Sequence, residues 1–96
     1  MKEYTVLKYL LSTIKNGYIN YMDVTDVKED CIHIILYTDS EFKIQPIKMM
    51  IEANVYVNKS LEAEHIEFKD DKMTIKCFNN VTYNIGIKVM KRRQRF

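Results

Sequence analysis

Cys31, His33, His65 and Cys77 are the residues best suited to metal chemistry, since two thiols and two imidazoles are an ordinary zinc ligand set. Their spacing argues against that use. No Cys-x-x-Cys pair is present, and Cys31 and His33 share one strand face while His65 and Cys77 fall on opposite faces of their hairpin. Nucleophilic catalysis by a cysteine with a histidine is the next chemistry to weigh. Nothing around either thiol would activate it. Glu29 and Asp30 precede Cys31, and Cys77, although beside Lys76, falls on the predicted core face. Ser12, Ser40 and Ser60 lack a glycine-rich elbow. Gly17 and Gly86 stand alone, so no phosphate-cradling loop is formed. Asp70 and Asp71 read as turn residues, and Glu62, Glu64 and Glu67 as a solvated strand edge. The expectation is therefore a non-enzymatic protein, with no catalytic residue, cofactor or metal assigned.

Binding chemistry is better represented. The last six residues, KRRQRF, hold Lys91, Arg92, Arg93 and Arg95. Taking these four cations from a net charge of +2 leaves residues 1–90 at −2. The body is slightly acidic, whereas a surface that tracks nucleic acid is usually basic throughout. Lys69, Lys72 and Lys88 fall on the polar face of the predicted C-terminal strands, where like charges directly opposite one another are unfavourable. An anionic partner would neutralise them, and the tail arginines suit bidentate contacts to phosphate or carboxylate. Seven tyrosines are many for 96 residues, and Tyr9, Tyr21 and Tyr56 are the least committed to a core by alternation, which marks them as protein-interface candidates.

The elements that must position these residues follow from periodicity. Tyr4, Leu7, Leu11 and Ile14, widened by Val6 and Leu10, make an amphipathic helix over about residues 3–16. Asn16-Gly17 ends it. Tyr18 to Val27 is strand-like, Lys28-Glu29-Asp30 a turn, and Cys31 to Thr38 an interior strand apolar on both faces. Residues 47–57 admit two patterns. A helix starting at Pro46 would bury Ile47, Met50 and Ile51. A strand would align Ile47, Met49, Ile51, Ala53, Val55 and Val57, and this longer alternation is the preferred reading, with Pro46 at a bulge or edge.

The last third reads as a three-stranded meander over about residues 64–90. A two-residue turn at Asp70-Asp71 pairs Phe68 with Met73 and Ile66 with Ile75. A three-residue loop at Asn79-Asn80-Val81 would pair Ile75 with Ile85 and Met73 with Ile87, setting Lys72 opposite Lys88.

The predicted fold is thus α+β: an N-terminal helix packed on a bent antiparallel sheet with a tendency to barrel closure. Residues 1–90 form one domain and residues 91–96 a basic tail. No apolar run approaches ~18 residues, no secretory signal is visible, and two cysteines do not make a disulfide framework. A cytoplasmic protein without membrane contact is expected. Its predicted role is docking onto a protein partner. The low-GC residue palette, rich in Ile, Lys, Asn and Tyr, is compatible with a phage or mobile-element inhibitor of a host factor. The alternative is an RNA- or DNA-binding protein using Lys69, Lys72, Lys88 and the tail. An exposed strand edge would also allow pairing with a second copy of the chain.

Overall fold

The computed structural model describes residues 11, 12, 14, 17–57, 62–70, 72–78 and 80–90. Its elements are β1 (Tyr21–Val27), β2 (Cys31–Thr38), a short 3-10 turn (Glu41–Lys43), α1 (Ile44–Val57), β3 (Ala63–Lys69), β4 (Lys72–Cys77) and β5 (Thr82–Val89). The strands form one five-stranded sheet in the order β1-β2-β5-β4-β3. Every neighbouring pair is antiparallel except β2 and β5, which run parallel. The sheet is open, with β1 and β3 at its edges, and neither purely antiparallel nor closed towards a barrel as the sequence suggested.

The parallel pair explains the second departure from the sequence reading. Parallel neighbours cannot be joined by a tight turn and need a crossover of a dozen or more residues, usually helical. Here the connection from β2 to β5 contains α1, β3 and β4. Residues 44–57 are accordingly the helix, not the preferred strand. The buried positions Ile47, Lys48, Ile51 and Val55 follow the helical period, whereas Met49 and Val57 are 60% and 80% exposed. Ile47, Ile51 and Val55 belong to both a period of two and a period of four, so they could not discriminate. The start of the element does. The hydroxyl of Ser40 accepts from the Phe42 amide at 3.2 Å, and Pro46 sits in the first helical turn, where its missing N–H has no partner to lose.

The core lies on one side of the sheet. Ile32, Ile34 and Leu36 of β2, Met73, Ile75 and Cys77 of β4, and Tyr83, Ile85 and Ile87 of β5 join Ile47, Ile51 and Val55 of α1 in a single buried cluster. Each fully buried aliphatic side chain stabilises the fold by about 1.5–3 kcal/mol relative to exposure. Most of the predicted N-terminal helix lies outside the described residues. Within them, Leu11 and Ser12 are helical, Leu11 and Ile14 are buried in the same cluster, and Gly17 takes a φ of +93°, as a helix stop requires.

The C-terminal hairpins keep the predicted faces and change one register. Across β3 and β4, Phe68 faces Met73, Ile66 faces Ile75 and Lys69 faces Lys72, as the sequence indicated. Asp70 accommodates the tight turn with a φ of +52°. Across β4 and β5, Ile75 faces Tyr83, Met73 faces Ile85 and Lys72 faces Gly86, two residues away from the predicted pairing. The loop does have three residues, but it is shifted one position towards the N-terminus: the Cys77 amide donates to the Val81 carbonyl at 2.9 Å. The shift puts Asn80, with a φ of +69°, at the left-handed position of the loop. The predicted register would have put the β-branched Val81 there, at a steric cost that Asn largely avoids.

Candidate binding face of the sheet

Side chains alternate along each strand, so a sheet buried on one side presents its other residues together on the opposite side. Here that second face is not covered by any described element. In β2 the buried residues alternate with half-exposed Cys31, His33, Ile35 and Tyr37. In β5 they alternate with Thr82, Asn84 and Gly86, then exposed Lys88. The sequence reading had both sides of β2 covered, because Ile35 and Tyr37 are apolar enough to suggest it. Among the described residues the strand is interior to the sheet but covered on one side.

Register sets the uncovered residues into rows. One row crosses all five strands as Glu67, Thr74, Asn84, His33 and Asp26. The next runs Lys69, Lys72, Gly86, Ile35 and Asp23. A third runs Lys88, Tyr37 and Tyr21. At the centre, Thr74 Oγ1 donates to Asn84 Oδ1 at 3.2 Å, and Asn84 Nδ2 donates to Cys31 Sγ at 3.3 Å. His33 Nε2 lies 3.4 Å from the same sulfur. This chain fixes the Asn84 amide orientation and ties β4, β5 and β2 together by their side chains. A groove of about 370 Å³ runs over it, lined by Thr25, His33, Lys72, Thr74, Asn84 and Lys88, with Gly86 at its floor. The absence of a side chain at Gly86 is what lets the groove pass between Lys72 and Ile35.

The predicted single row of three lysines is corrected by the register. Lys69 and Lys72 are directly paired, while Lys88 stands one pair further along β5, diagonal to Lys72. Lys72 and Lys88 nevertheless line the same groove. Among the described residues, none of Lys69, Lys72 and Lys88 forms an ion pair; the pairs present are Lys28–Asp26 at 3.8 Å, Lys43–Asp39 at 2.7 Å and His65–Glu67 at 3.6 Å. Carboxylates sit on the edge strands of the same face, Asp23 and Asp26 on β1 and Glu67 on β3. The face thus carries Lys72 and Lys88 over its middle, Asp23 and Asp26 at the β1 margin, and Glu67 beside Lys69 at the β3 margin.

The remaining candidates separate. Lys91, Arg92, Arg93, Arg95 and Tyr9 lie outside the described residues. Tyr21 is on the uncovered face, its ring 5.9 Å from that of Tyr37, while Tyr56 is exposed on α1, against the other side of the sheet. These two tyrosines do not form one surface. Cys77 is buried in the core, whereas Cys31 and His33 lie on the uncovered face and His65 is exposed on β3, so the four potential zinc ligands do not meet.

Thr74, Asn84 and His33 were not singled out together by the sequence. They come from strands up to 51 positions apart, and only the pairing of β2 with β5 aligns them. Among the described residues no helix is long and apolar enough to cross a membrane. No protein-family model, curated protein or solved structure matches this chain significantly.

Proposed function

We propose that this is a non-enzymatic binding protein that docks a protein partner on the uncovered face of its sheet. The observation that supports this reading most is the charge pattern there: Lys72 and Lys88 stand unpaired over a groove of about 370 Å³, beside a β1 edge that carries Asp23 and Asp26. Such a pattern complements a partner surface with an acidic centre and a basic patch towards β1, and complementarity of this kind selects partners and speeds encounter. A phosphate backbone crossing the sheet would meet Asp23 and Asp26 at the β1 edge, and residues 1–90 carry a net −2, which disfavours a continuous polyanion.

One observation favours nucleic acid as the second reading. The Tyr21–Tyr37 ring pair lies in the same row as Lys88, which supplies an aromatic platform next to a cation. The two readings separate experimentally. Protein docking predicts that the wild-type chain retains a stoichiometric partner from the source cell at moderate salt, and that the exposed pair of changes Lys72→Glu and Lys88→Glu loses it. A fluorescent single-stranded oligonucleotide should not bind at low salt. Tight oligonucleotide binding that weakens steeply with salt would replace the first reading with the second. Retention of the same partner by the double variant would remove the sheet face from the account.

A further inference from the structure

The thiol of Cys31 lies on the uncovered face, half-buried, one row beyond the groove that passes over Asn84 and Gly86. Two side chains that line that groove touch its sulfur, His33 Nε2 at 3.4 Å and Asn84 Nδ2 at 3.3 Å. The Thr74 hydroxyl donates to Asn84 Oδ1 at 3.2 Å, which leaves the amide N–H aimed at the sulfur. With His33 protonated at Nδ1, its Nε2 accepts the thiol proton while Asn84 donates to a sulfur lone pair. A nucleophile, a base within reach and a fixed donor are thereby assembled from β2, β5 and β4, the arrangement that makes a cysteine reactive. Cys77, 3% exposed in the core, is withdrawn from reagents. The groove beside Cys31 is lined by Lys72 and Lys88 and by no carboxylate, and its volume of about 370 Å³ lies within the roughly 300–1,000 Å³ of small-molecule sites. Along β2, Cys31 is four residues from Ile35 in the row of Lys72, about 13 Å at ~3.3 Å per residue. An extended tripeptide of about 10 Å and a lysine side chain cover that span together.

We propose that Cys31 is a thiol–disulfide exchange site for a peptide-sized disulfide bearing carboxylates, the class to which glutathione disulfide belongs. The Cys31 Sγ attacks one sulfur of the reagent as His33 Nε2 takes the thiol proton. The reagent S–S bond breaks and a new S–S bond joins Cys31 to one half. The other half leaves as a thiol, carrying the proton that His33 returns. The Cys31 sulfur is oxidised and the leaving sulfur reduced, so no further oxidant enters. The bound half lies along the groove with its carboxylates towards Lys72 and Lys88. The other charged groups around the Cys31–His33 pair are Asp26 and Lys28, joined at 3.8 Å, Lys76 in the Cys31 row beyond Thr82 with His65 behind it, and Glu29 and Asp30 in the preceding turn. The site shares the groove of the docking reading but needs no partner, so it stands or falls on the isolated chain.

The test incubates the full-length chain with glutathione disulfide and, separately, with the cationic disulfide cystamine, and follows mixed-disulfide formation by peptide mass mapping. At neutral pH glutathione disulfide should modify Cys31 and leave Cys77 unmodified. His33→Gln should slow the reaction with either reagent at least about tenfold at neutral pH. At about pH 9.5 an ordinary thiol is ionised without the help of a base, while lysines remain charged, so that deficit should shrink to less than about twofold. A deficit of equal size at both pH values would mean that His33 only packs against the sulfur, and would overturn the proposal. Lys72→Glu with Lys88→Glu should cut the ratio of the glutathione disulfide rate to the cystamine rate at least about fivefold. An unmodified Cys31, modification of Cys77 at an equal rate, or an unchanged ratio in the double variant also overturns the proposal. Partner capture enters none of these measurements, so failure of this site and failure of the docking reading are distinguishable.

Discussion

The orientation of α1 decides which residues are core and which are available to partners, and a pair of truncations tests it. Ile51 is 2% exposed within the core cluster, whereas Met49, two residues earlier, is 60% exposed. Ile51→Ala removes three buried carbons, worth about 2.4 kcal/mol at ~0.8 kcal/mol each. The cavity left behind adds to this, giving an expected loss of about 3–4 kcal/mol. For a domain of this size that lowers the melting temperature by about 12–30 °C. It is also a large share of the roughly 5–14 kcal/mol that a chain of this length has in total. Met49→Ala removes side-chain atoms that are largely in water and should cost about 0.5 kcal/mol or less. Urea unfolding followed by far-ultraviolet circular dichroism would measure both, with the slope against urea unchanged between variants. Comparable losses from the two substitutions would mean that positions 49 and 51 face the same side, as in a strand. The helical assignment would then fail.

Three further outcomes follow from particular contacts. The Lys43 ammonium, 2.7 Å from Asp39, holds that carboxyl below its ordinary value of 3.8 by hydrogen bonding, so the contact stabilises the fold fully above about that pH and loses its effect as the pH falls through the lower, folded-state value. Lys43→Met should return the Asp39 titration, read by carboxyl-carbon NMR, towards the ordinary value. Asn80→Val, at a φ of +69°, should cost about 1–2 kcal/mol in thermal unfolding, while Asn80→Gly should be neutral within about 0.5 kcal/mol. A Cβ at Gly86 would meet only Ile35 Cγ1 at 4.0 Å, so Gly86→Leu should keep the melting temperature of the parent or exceed it. The same change should abolish partner binding on the sheet face by filling its groove.

What the sequence made legible was local. The pairing of Phe68 with Met73 and of Lys69 with Lys72 follows from apolar alternation on both sides of a tight turn. The burial of Tyr83, Ile85 and Ile87 follows from alternation alone. What it hid was set by distance or by ambiguous periods. Ile47, Ile51 and Val55 satisfy strand and helix alike, and the helix follows from the start of the element at Ser40 and Pro46 together with the parallel crossover from β2 to β5. That pairing joins residues about 50 positions apart and leaves no local signature, so neither the open sheet nor the alignment of His33, Asn84 and Thr74 could be read in advance. The shift of the β4–β5 register has a local cause that was visible: Asn80 tolerates a left-handed backbone better than Val81.

The central claim is that, among the described residues, one face of the sheet is covered and the other is not. The two cysteines lie on opposite sides of it, Cys31 half-buried on the uncovered face and Cys77 3% exposed in the core. Iodoacetamide labelling of the native protein, mapped by peptide mass spectrometry, should modify Cys31 and leave Cys77 protected until urea unfolds the chain. Labelling of Cys77 as fast as Cys31, or protection of both in the isolated protein, would contradict the account.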